Sequence, residues 1–318
     1  MTNSTIKRIF LLLGQSSGAE LDFKVKEWIR EQIPPLHEKE LNLTFYSGDD
    51  PLLCWDTIKD VVENIKGNIQ YSILTNGMLI TANMVDYIND YDIEVVVTWD
   101  GVNSAKIHGF NAVKDNSCIL DINNLNFLAK LGEQAYPLDI LDEAEIVFNE
   151  YKKIHGVSPS IDIETNIEPC ALDYAKLSQQ MEYIVKHKDE KLPYRRIIDR
   201  LQRQCVLPRR CIDKRAFCGN GYFIWNIDTN GNVYQCRDSW KIIGTVFDSS
   251  ENIHRNMQIS DPTYSNYLEQ CSTCPVQALC RSGCPLIDAG SRDKYYCDIK
   301  KAYLSPVIQH IREIRQER

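Results

Sequence analysis

The chain has no long hydrophobic run, no cysteine in its first 53 residues and no excess of positive charge. The apolar run at residues 9–13 is too short to cross a membrane or to form a signal peptide, and no cleavage site follows it. The 318 residues carry a net charge of −8, which gives no indication of nucleic-acid binding. These absences predict a cytoplasmic protein that binds neither membranes nor nucleic acids.

Cysteine is abundant later in the chain, where nine of the twelve cysteines lie between residues 205 and 297. Seven of them form a ladder of short, regular spacings. It reads C-x12-G-x4-C from Cys218 to Cys236 and C-x2-C-x5-C-x3-C from Cys271 to Cys284, and it ends at Cys297. In a reducing compartment, clustered cysteines favour metal over disulfides, so the ladder indicates either 4Fe–4S clusters or zinc.

Up to about residue 188, short apolar runs alternate with amphipathic helical patterns. Predicted strands cover residues 8–13, 41–46, 71–74, 93–97, 125–131 and 160–167. Only residues 102–124 give no clear pattern. Six βα units indicate an α/β fold with a parallel sheet, specifically a partial (β/α)6 TIM-like barrel, in which ligands bind at the carboxyl ends of the strands.

The sequence changes character after Pro193. Residues 194–215 are rich in Arg and Lys, which suits an acidic docking partner, neutralisation of nearby thiolates or a solvated helix face. Asn230-Gly231 lies between two short apolar runs and predicts a tight β-hairpin. A loop-rich, cysteine-rich part follows, up to a closing helix. The predicted domains are therefore residues 1–193 and residues 194–318.

The spacing of the cysteine ladder resembles that of the SPASM domain, a C-terminal extension of many radical S-adenosylmethionine (SAM) enzymes that modify peptides or proteins. This resemblance implies two auxiliary 4Fe–4S clusters, with zinc as the alternative. The ligands implied for the first cluster are Cys211, Cys218, Cys236 and Cys284, with Cys205 as the second choice for Cys211. The ligands implied for the second cluster are Cys271, Cys274, Cys280 and Cys297. The isolated Cys54, Cys118 and Cys170 are interpreted as buried apolar thiols.

Three short motifs extend the resemblance into the first domain. GDDPLL at residues 48–53, TNG at 75–77 and TWDG at 98–101 are similar to family elements that follow the second, third and fourth strands. The SAM site that they imply involves Gly48, Asp50 and Asn76. It departs from the family pattern, because Asp49 replaces the second glycine and Asp50 is shorter than the family's glutamate.

The family's C-x3-C-x2-C loop after the first strand is missing. The three ligand positions hold Ser17, Leu21 and Lys24, and neither Leu nor Lys can replace a thiolate on iron. The resemblance is therefore to a degenerate radical SAM protein that lacks the radical-generating cluster. SAM binding and conventional radical chemistry are not expected.

No catalytic residue is predicted. Asp162 and Glu164 alternate along the sixth strand, and we interpret them as partners of Arg or Lys rather than as a substrate site. His108 follows the Asp100-Gly101 turn and is interpreted as a solvated loop residue.

The predicted function is a non-radical partner protein in a peptide (RiPP-type) modification system. It would bind a precursor peptide or pair with an active radical SAM maturase as a heterodimer, while its clusters transfer electrons or hold the fold rigid. The alternative is an enzyme in which an open iron of the first cluster acts as a Lewis acid on a peptide or small molecule. A third reading is that the clusters only stabilise a small domain.

Overall fold

The computed structural model describes residues 6–14, 20–165, 171–206, 223–258, 271–280, 283–284 and 295–316. The chain folds into two compact units. The first unit comprises Met1–Val97, Asp121–Leu125 and Cys218–Ser260, and the second comprises Thr98–Leu120, Asn126–Phe217 and Asp261–Arg318. This division differs from the predicted domains 1–193 and 194–318, because the segment that contains Cys236 is grouped with the N-terminal strands. The predicted domain boundary stays a prediction.

The described residues contain nine strands, and the six predicted in the N-terminal half are all present. The strands are β1 (Arg8–Leu12), β2 (Leu41–Tyr46), β3 (Ile69–Thr75), β4 (Glu94–Thr98), β5 (Leu125–Leu131), β6 (Ser160–Thr165), β7 (Ile224–Asp228), β8 (Asn232–Cys236) and β9 (Ser239–Thr245). The mixed α/β class with a parallel sheet is therefore confirmed.

The helices follow the strands in the predicted alternation. They are α1 (Phe23–Gln32), α2 (Trp55–Asn64), α3 (Ala82–Asp90), α4 (Ser104–His108), α5 (Ala112–Asp115), α6 (Pro137–His155), α7 (Tyr174–Lys186), α8 (Leu192–Val206), α9 (Ser250–Gln258), α10 (Gln277–Cys280) and α11 (Cys297–Gln316). Short 3₁₀ helices cover Pro51–Cys54, Gly101–Asn103 and Ser117–Asp121. The unassigned stretch at residues 102–124 thus holds α4, α5 and 3₁₀ turns.

The first unit is built on seven strands in the order β4-β3-β2-β1-β7-β8-β9. Strands β1 to β4 are parallel, as predicted. The hairpin predicted at Asn230-Gly231 joins the antiparallel β7 and β8, and Gly231 has a φ of +85° that suits the turn. Strand β7 also pairs in parallel with β1, so that Arg8 lies opposite Ile224. The sequence did not predict this pairing or strand β9.

The two faces of this sheet differ in polarity. One face carries side chains such as Ile9, Leu43 and Phe45, which are fully buried. Helix α1 packs on this face, because Trp28 contacts Trp225, the register partner of Ile9. Alternation along the strands places polar residues of β2 and β3 on the opposite face. The opposite face is therefore the more polar one.

The second unit packs helices around the parallel pair β5 and β6. Helix α11 lies along α7, and α10 contacts both α8 and α11. Helices α6 and α7 have the amphipathic pattern expected of this part of the chain, and Leu141, Phe148 and Met181 on their apolar faces are buried. The cysteine-bearing helices α10 and α11 are therefore held by a helical core within the second unit.

Candidate functional site

Asp50 is buried where β2 leads into the 3₁₀ helix Pro51–Cys54. Its Oδ1 accepts a hydrogen bond from the Leu52 N–H at 3.0 Å, which caps that helix. Its Oδ2 accepts from the Thr75 hydroxyl at 2.7 Å and from the Asn76 N–H at 3.0 Å. The carboxylate therefore fastens the loop after β2 to the end of β3.

The other two residues of the implied SAM site are near Asp50. Gly48 precedes it by two positions, and the backbone N–H of Asn76 donates to it. Gly48 and Asn76 are exposed. The Asn76 side chain accepts a hydrogen bond from the Met78 N–H at 2.8 Å, so it closes its own turn. The structure thus brings Asp50 and Asn76 together, and each of the two side chains makes hydrogen bonds inside the protein.

The loop after β1 carries the three positions at which the family has cysteines. Ser17 lies outside the described residues. Leu21 is 3% exposed and belongs to the core, whereas Lys24 is an exposed residue in the first turn of α1. Asp22 caps this helix, because its Oδ1 accepts from the Lys24 N–H at 2.8 Å. The two described positions are thus used for packing and for starting a helix.

A cluster of cations and aromatic rings in the first unit was not predicted. The Arg237 guanidinium lies 5.2 Å from the Phe10 ring and 5.6 Å from the Tyr46 ring. The Tyr46 hydroxyl donates to Asp238 at 3.0 Å. Burial, followed by the charge of Asp238, raises the pKa of Tyr46 to about 12, and Cys236 adds to this effect. The alternation of polar residues in β2 indicates in the sequence that Tyr46 lies on the polar face of the sheet. The local sequence does not indicate that Arg237 and Asp238 are its partners.

The four cysteines implied for the second cluster all lie in the second unit and are partly exposed. Burial raises the pKa of the Cys280 thiol to about 11, Lys300 opposes this, and the other three cysteines raise it further. Each of the other three cysteines thus acts on the charge of Cys280. Four thiols at one place are the donor set that a 4Fe–4S cluster requires, so the residues fit this group.

Within the described residues, no group of three or more His, Cys, Asp or Glu side chains is arranged to hold a single metal ion. A zinc ion would need its thiolates about 3.8 Å apart, as follows from Zn–S bonds of about 2.3 Å in a tetrahedron. The cysteines of a 4Fe–4S cluster bind different iron atoms and therefore stand farther apart.

The turn that carries Cys284 is fixed by an aromatic side chain. Tyr296 is 2% exposed, and its hydroxyl oxygen accepts from the Cys284 N–H at 3.1 Å. Gly283 has a φ of +72°, and a Cβ there would lie 2.5 Å from a ring carbon of Tyr296. Only glycine fits between the turn and the ring without a shift.

The remaining predicted ligands are placed as follows. Cys236 ends β8, and Cys205 lies near the end of α8. Cys211 and Cys218 lie outside the described residues. Cys54 is buried as predicted, with its Sγ donating to the Gly14 carbonyl at 3.6 Å.

Two further cysteines were predicted to be buried. Cys118 is partly exposed, so the prediction of a buried thiol is wrong for this residue. Its 3₁₀ helix, Ser117–Asp121, buries Ile119 instead. Cys170 lies outside the described residues.

The interpretation of the two acidic residues of β6 as partners of Arg or Lys is confirmed for Asp162. Asp162 forms an ion pair with Arg200. Glu164 raises the pKa of Lys300, whereas burial, the larger effect, lowers it. His108 is not merely solvated, because its Nε2 lies 2.7 Å from the buried Asp100 carboxylate.

A cleft of about 460 Å³ in the first unit contains none of the predicted site residues. It is lined by Trp28 of α1, Trp225 of β7 and His254 of α9, among others. It therefore lies on the face of the sheet that α1 covers, away from the polar face. The volume of this cleft alone does not identify it as the functional site.

None of the helices within the described ranges is both long and apolar enough to cross a lipid bilayer.

Comparison with known proteins finds radical SAM enzymes among the sequence relatives of this chain. No family model matches the chain. It is 33% identical over 112 residues to the radical SAM cyclopropyl synthase TigE of Paramaledivibacter caminithermalis, covering 32% of this chain but only 24% of that protein. It is 23% identical over 322 residues to the cysteine-type anaerobic sulfatase-maturating enzyme of Clostridium novyi, covering 86% of this chain and 83% of the enzyme.

Solved structures extend the likeness to the fold. Native anSMEcpe with bound AdoMet and Cp18Cys peptide matches with a TM-score of 0.64 and 15% identity, over 98% of this chain and 99% of that one. The same protein with bound AdoMet alone gives 0.62 and 15%, over 97% and 99%. The chain is therefore similar in sequence to radical SAM enzymes and has the fold of anSMEcpe.

Proposed function

We propose that this protein works in peptide or protein maturation as a partner that carries iron–sulfur clusters but generates no radical. In this proposal the βα units form a partial barrel and the cysteine ladder forms a SPASM domain with two 4Fe–4S clusters. The proposal is supported by similarity to a sulfatase-maturating enzyme and by the likeness to anSMEcpe with a bound peptide.

The observation that carries the proposal is the contrast between the two sets of ligand positions. Around Cys280, three further cysteines lie within electrostatic range. After β1, by contrast, Leu21 is buried in the core and Lys24 lies in the first turn of α1. A soft iron site can use the first set and cannot use the second.

The Asp50 network supports the absence of SAM chemistry. A carboxylate offers about four positions at which it can accept hydrogen bonds. Asp50 uses three of them for donors of the protein, which leaves at most one for the amino group of a ligand. The Asp50 carboxylate is thus used mainly to hold the loops after β2 and β3 together.

Exposed apolar side chains at the carboxyl ends of the strands support peptide or partner binding. Leu53 follows β2 and is 51% exposed, and Met78 follows β3 and is 52% exposed. The Asp50 network ties these two loops together, so the side chains share one edge of the sheet. An apolar edge of this kind suits an extended peptide or a protein partner.

The first experiment is anaerobic purification with iron, sulfide and zinc counted per chain. We expect about eight iron atoms, two clusters of four, with two EPR signals after reduction by dithionite. Adding SAM should change neither signal, and no SAM should be cleaved. Cys274→Ser should remove about half of the iron, whereas the matched Cys118→Ser variant should keep all of it.

Other outcomes of this experiment distinguish the alternatives. Cleavage of SAM would overturn the non-radical proposal. About two zinc ions without sulfide would leave a folded binding scaffold and exclude electron transfer. Wild-type protein with one cluster that binds an added thiolate or carboxylate would instead favour the Lewis-acid enzyme.

The partner role is tested by affinity purification from the source cells followed by mass spectrometry. We expect an active radical SAM enzyme or a short peptide to be retained by the wild-type protein and lost with Leu53→Asp combined with Met78→Asp. Leu36→Asp is the control, because Leu36 is 86% exposed and does not follow a strand. Equal retention by both variants would contradict binding at this edge.

A further inference from the structure

The cleft of about 460 Å³ in the first unit combines two tryptophan rings with three carboxylates. Trp28 of α1 and Trp225 of β7 both line it, and their ring centroids lie 5.4 Å apart. Glu31, Glu38 and Asp248 line it as well. Among the described residues of this lining, none is Lys or Arg. The charge of the cleft therefore favours a cationic ligand.

Two of these carboxylates are not used by the protein itself. Glu31 and Glu38 are exposed, and neither forms an ion pair with a residue that the structure describes. Asp248 is partly committed, because its Oδ2 accepts from the Thr245 N–H at 2.7 Å and from the Thr245 hydroxyl at 3.2 Å. A bound cation would thus find two carboxylates without a competing partner.

The indole of Trp225 offers a hydrogen-bond donor beside the cleft. Trp225 is 4% exposed, and its Nε1–H has no acceptor among the described residues. A buried donor without an acceptor is unfavourable. The orientation of the ring is set by packing against Trp28 and not by a hydrogen bond. A small rotation of the ring would therefore bring the N–H to an acceptor carried by a ligand.

A guanidinium group suits this lining better than an ammonium group. It is planar and weakly hydrated, it stacks on aromatic faces, and it binds carboxylates through two parallel hydrogen bonds. It has donors only, so it cannot satisfy the Trp225 N–H. A ligand that satisfies both sides carries a carbonyl oxygen close to the cation, as an arginine residue of a peptide does. A cleft of this volume is large enough for one such residue.

We propose that this cleft binds an arginine residue of a partner peptide. The guanidinium lies against Trp28 and pairs with Glu31 and Glu38, while a peptide carbonyl accepts from Trp225. Leu53 and Met78 are not part of this lining, so the cleft is a binding site in addition to the apolar edge proposed above. Binding here requires neither an iron–sulfur cluster nor SAM.

The test is isothermal titration calorimetry of the full-length protein at pH 8. An ordinary histidine is neutral at that pH, so that His254 in the lining adds no charge. The probe is N-acetyl-Gly-Arg-Gly-amide, and its matched control has citrulline in place of arginine, with the same shape but no charge. We expect one saturable site for the arginine peptide and binding of the citrulline peptide at least about tenfold weaker.

Substitutions in the lining locate the binding. Glu31→Gln combined with Glu38→Gln should weaken binding of the arginine peptide about tenfold. Glu20→Gln combined with Glu40→Gln is the control, because both residues are exposed and lie outside the lining. Loss of these two charges should change the affinity less than about twofold. Trp28→Leu should weaken binding about threefold or more, and Trp28→Phe should recover part of the loss.

Several outcomes would overturn the inference. Equal losses for the two pairs of Glu→Gln substitutions would show an effect of net charge and not of the cleft. Equal affinity for the arginine and citrulline peptides, or no saturable heat up to about 10 mM peptide, would exclude recognition of the cation. Agmatine is a guanidinium without a peptide carbonyl, and its binding as tightly as the peptide would contradict a peptide ligand. The proposed function fails separately, because iron and sulfide counts test the clusters and this titration tests only the cleft.

Discussion

Two regions of the molecule use their polar groups in opposite ways. In the first unit, Asp50 directs both carboxylate oxygens at neighbouring N–H and O–H groups, so its hydrogen bonds stabilise the fold. In the second unit, burial opposes the charged form of both Cys280 and Lys300, and Cys271, Cys274 and Cys297 further raise the pKa of Cys280. The first arrangement is complete in itself. The second suits a bound, thiolate-ligated group.

The largest effect is expected for a substitution of Asp50, which tests whether this residue serves the fold and not a cluster. Asp50→Ala leaves three donors without their acceptor, and each buried hydrogen bond is worth about 1 kcal/mol, so the free energy of unfolding should fall by about 3 kcal/mol. Urea unfolding measures the change. Iron content should not change, because the residue is assigned to folding and not to a cluster.

The control for Asp50 is its neighbour in sequence. Asp49 is exposed, and Asp49→Ala should change the free energy of unfolding by less than about 0.5 kcal/mol. Equal losses for the two variants, or loss of iron with Asp50→Ala, would break the distinction between the two regions.

An effect of similar size is expected at the turn before Cys284. Gly283→Ala combines a left-handed backbone with a clash against Tyr296, and the clash alone should cost about 1–3 kcal/mol. Gly109 has nearly the same φ of +73°, but a Cβ there would meet nothing within 4 Å. Gly109→Ala therefore measures the backbone strain alone, about 1 kcal/mol. The difference between the two urea midpoints isolates the Tyr296 contact, and equal midpoints would show that the ring moves aside.

The smallest effect concerns Tyr46, at the end of β2 and beside Cys236. Tyr46→Phe should cost about 0.5–1 kcal/mol at pH 7, because one hydrogen bond to Asp238 is lost and the ring contact with Arg237 remains. The pKa of Tyr46 is raised from 10.0 to about 12 in the folded state. The stability that the hydroxyl contributes is therefore present below pH 10 and is lost as the pH rises through 12.

Urea unfolding of the two proteins between pH 7 and pH 11.5 measures this change. The advantage of the wild-type protein over Tyr46→Phe should shrink across the upper part of that range. An advantage that grows with pH would mean that the phenol is not held by burial and by Asp238.

Much of the architecture could be predicted from local pattern. The strand at Leu41–Tyr46 was located to the residue, because a buried parallel strand is a short apolar run bounded by turn residues. The hairpin at Asn230-Gly231 was found because its backbone requires a φ that glycine tolerates. The amphipathic faces of α6 and α7 followed from helical periodicity.

The pairing of β7 with β1 escaped prediction for a physical reason. The edge of a strand offers the same backbone N–H and C=O groups whatever its sequence, so local pattern does not indicate which segment will pair there. The helix α9 and the strand β9 were missed because the cysteine-rich part was expected to be mostly loops.

The sequence by itself determined the kinds and spacing of the chemical groups. The cysteine ladder, the absence of cysteine before Cys54 and the acidic residue Asp50 are all visible without a structure. Only the tertiary structure decided what these groups do. Two of the three donors to Asp50, Thr75 and Asn76, lie 25 and 26 residues farther along the chain. Asp162 of β6 pairs with Arg200 of α8. Burial and charge contacts of this kind arise from packing between distant segments, which local sequence does not encode.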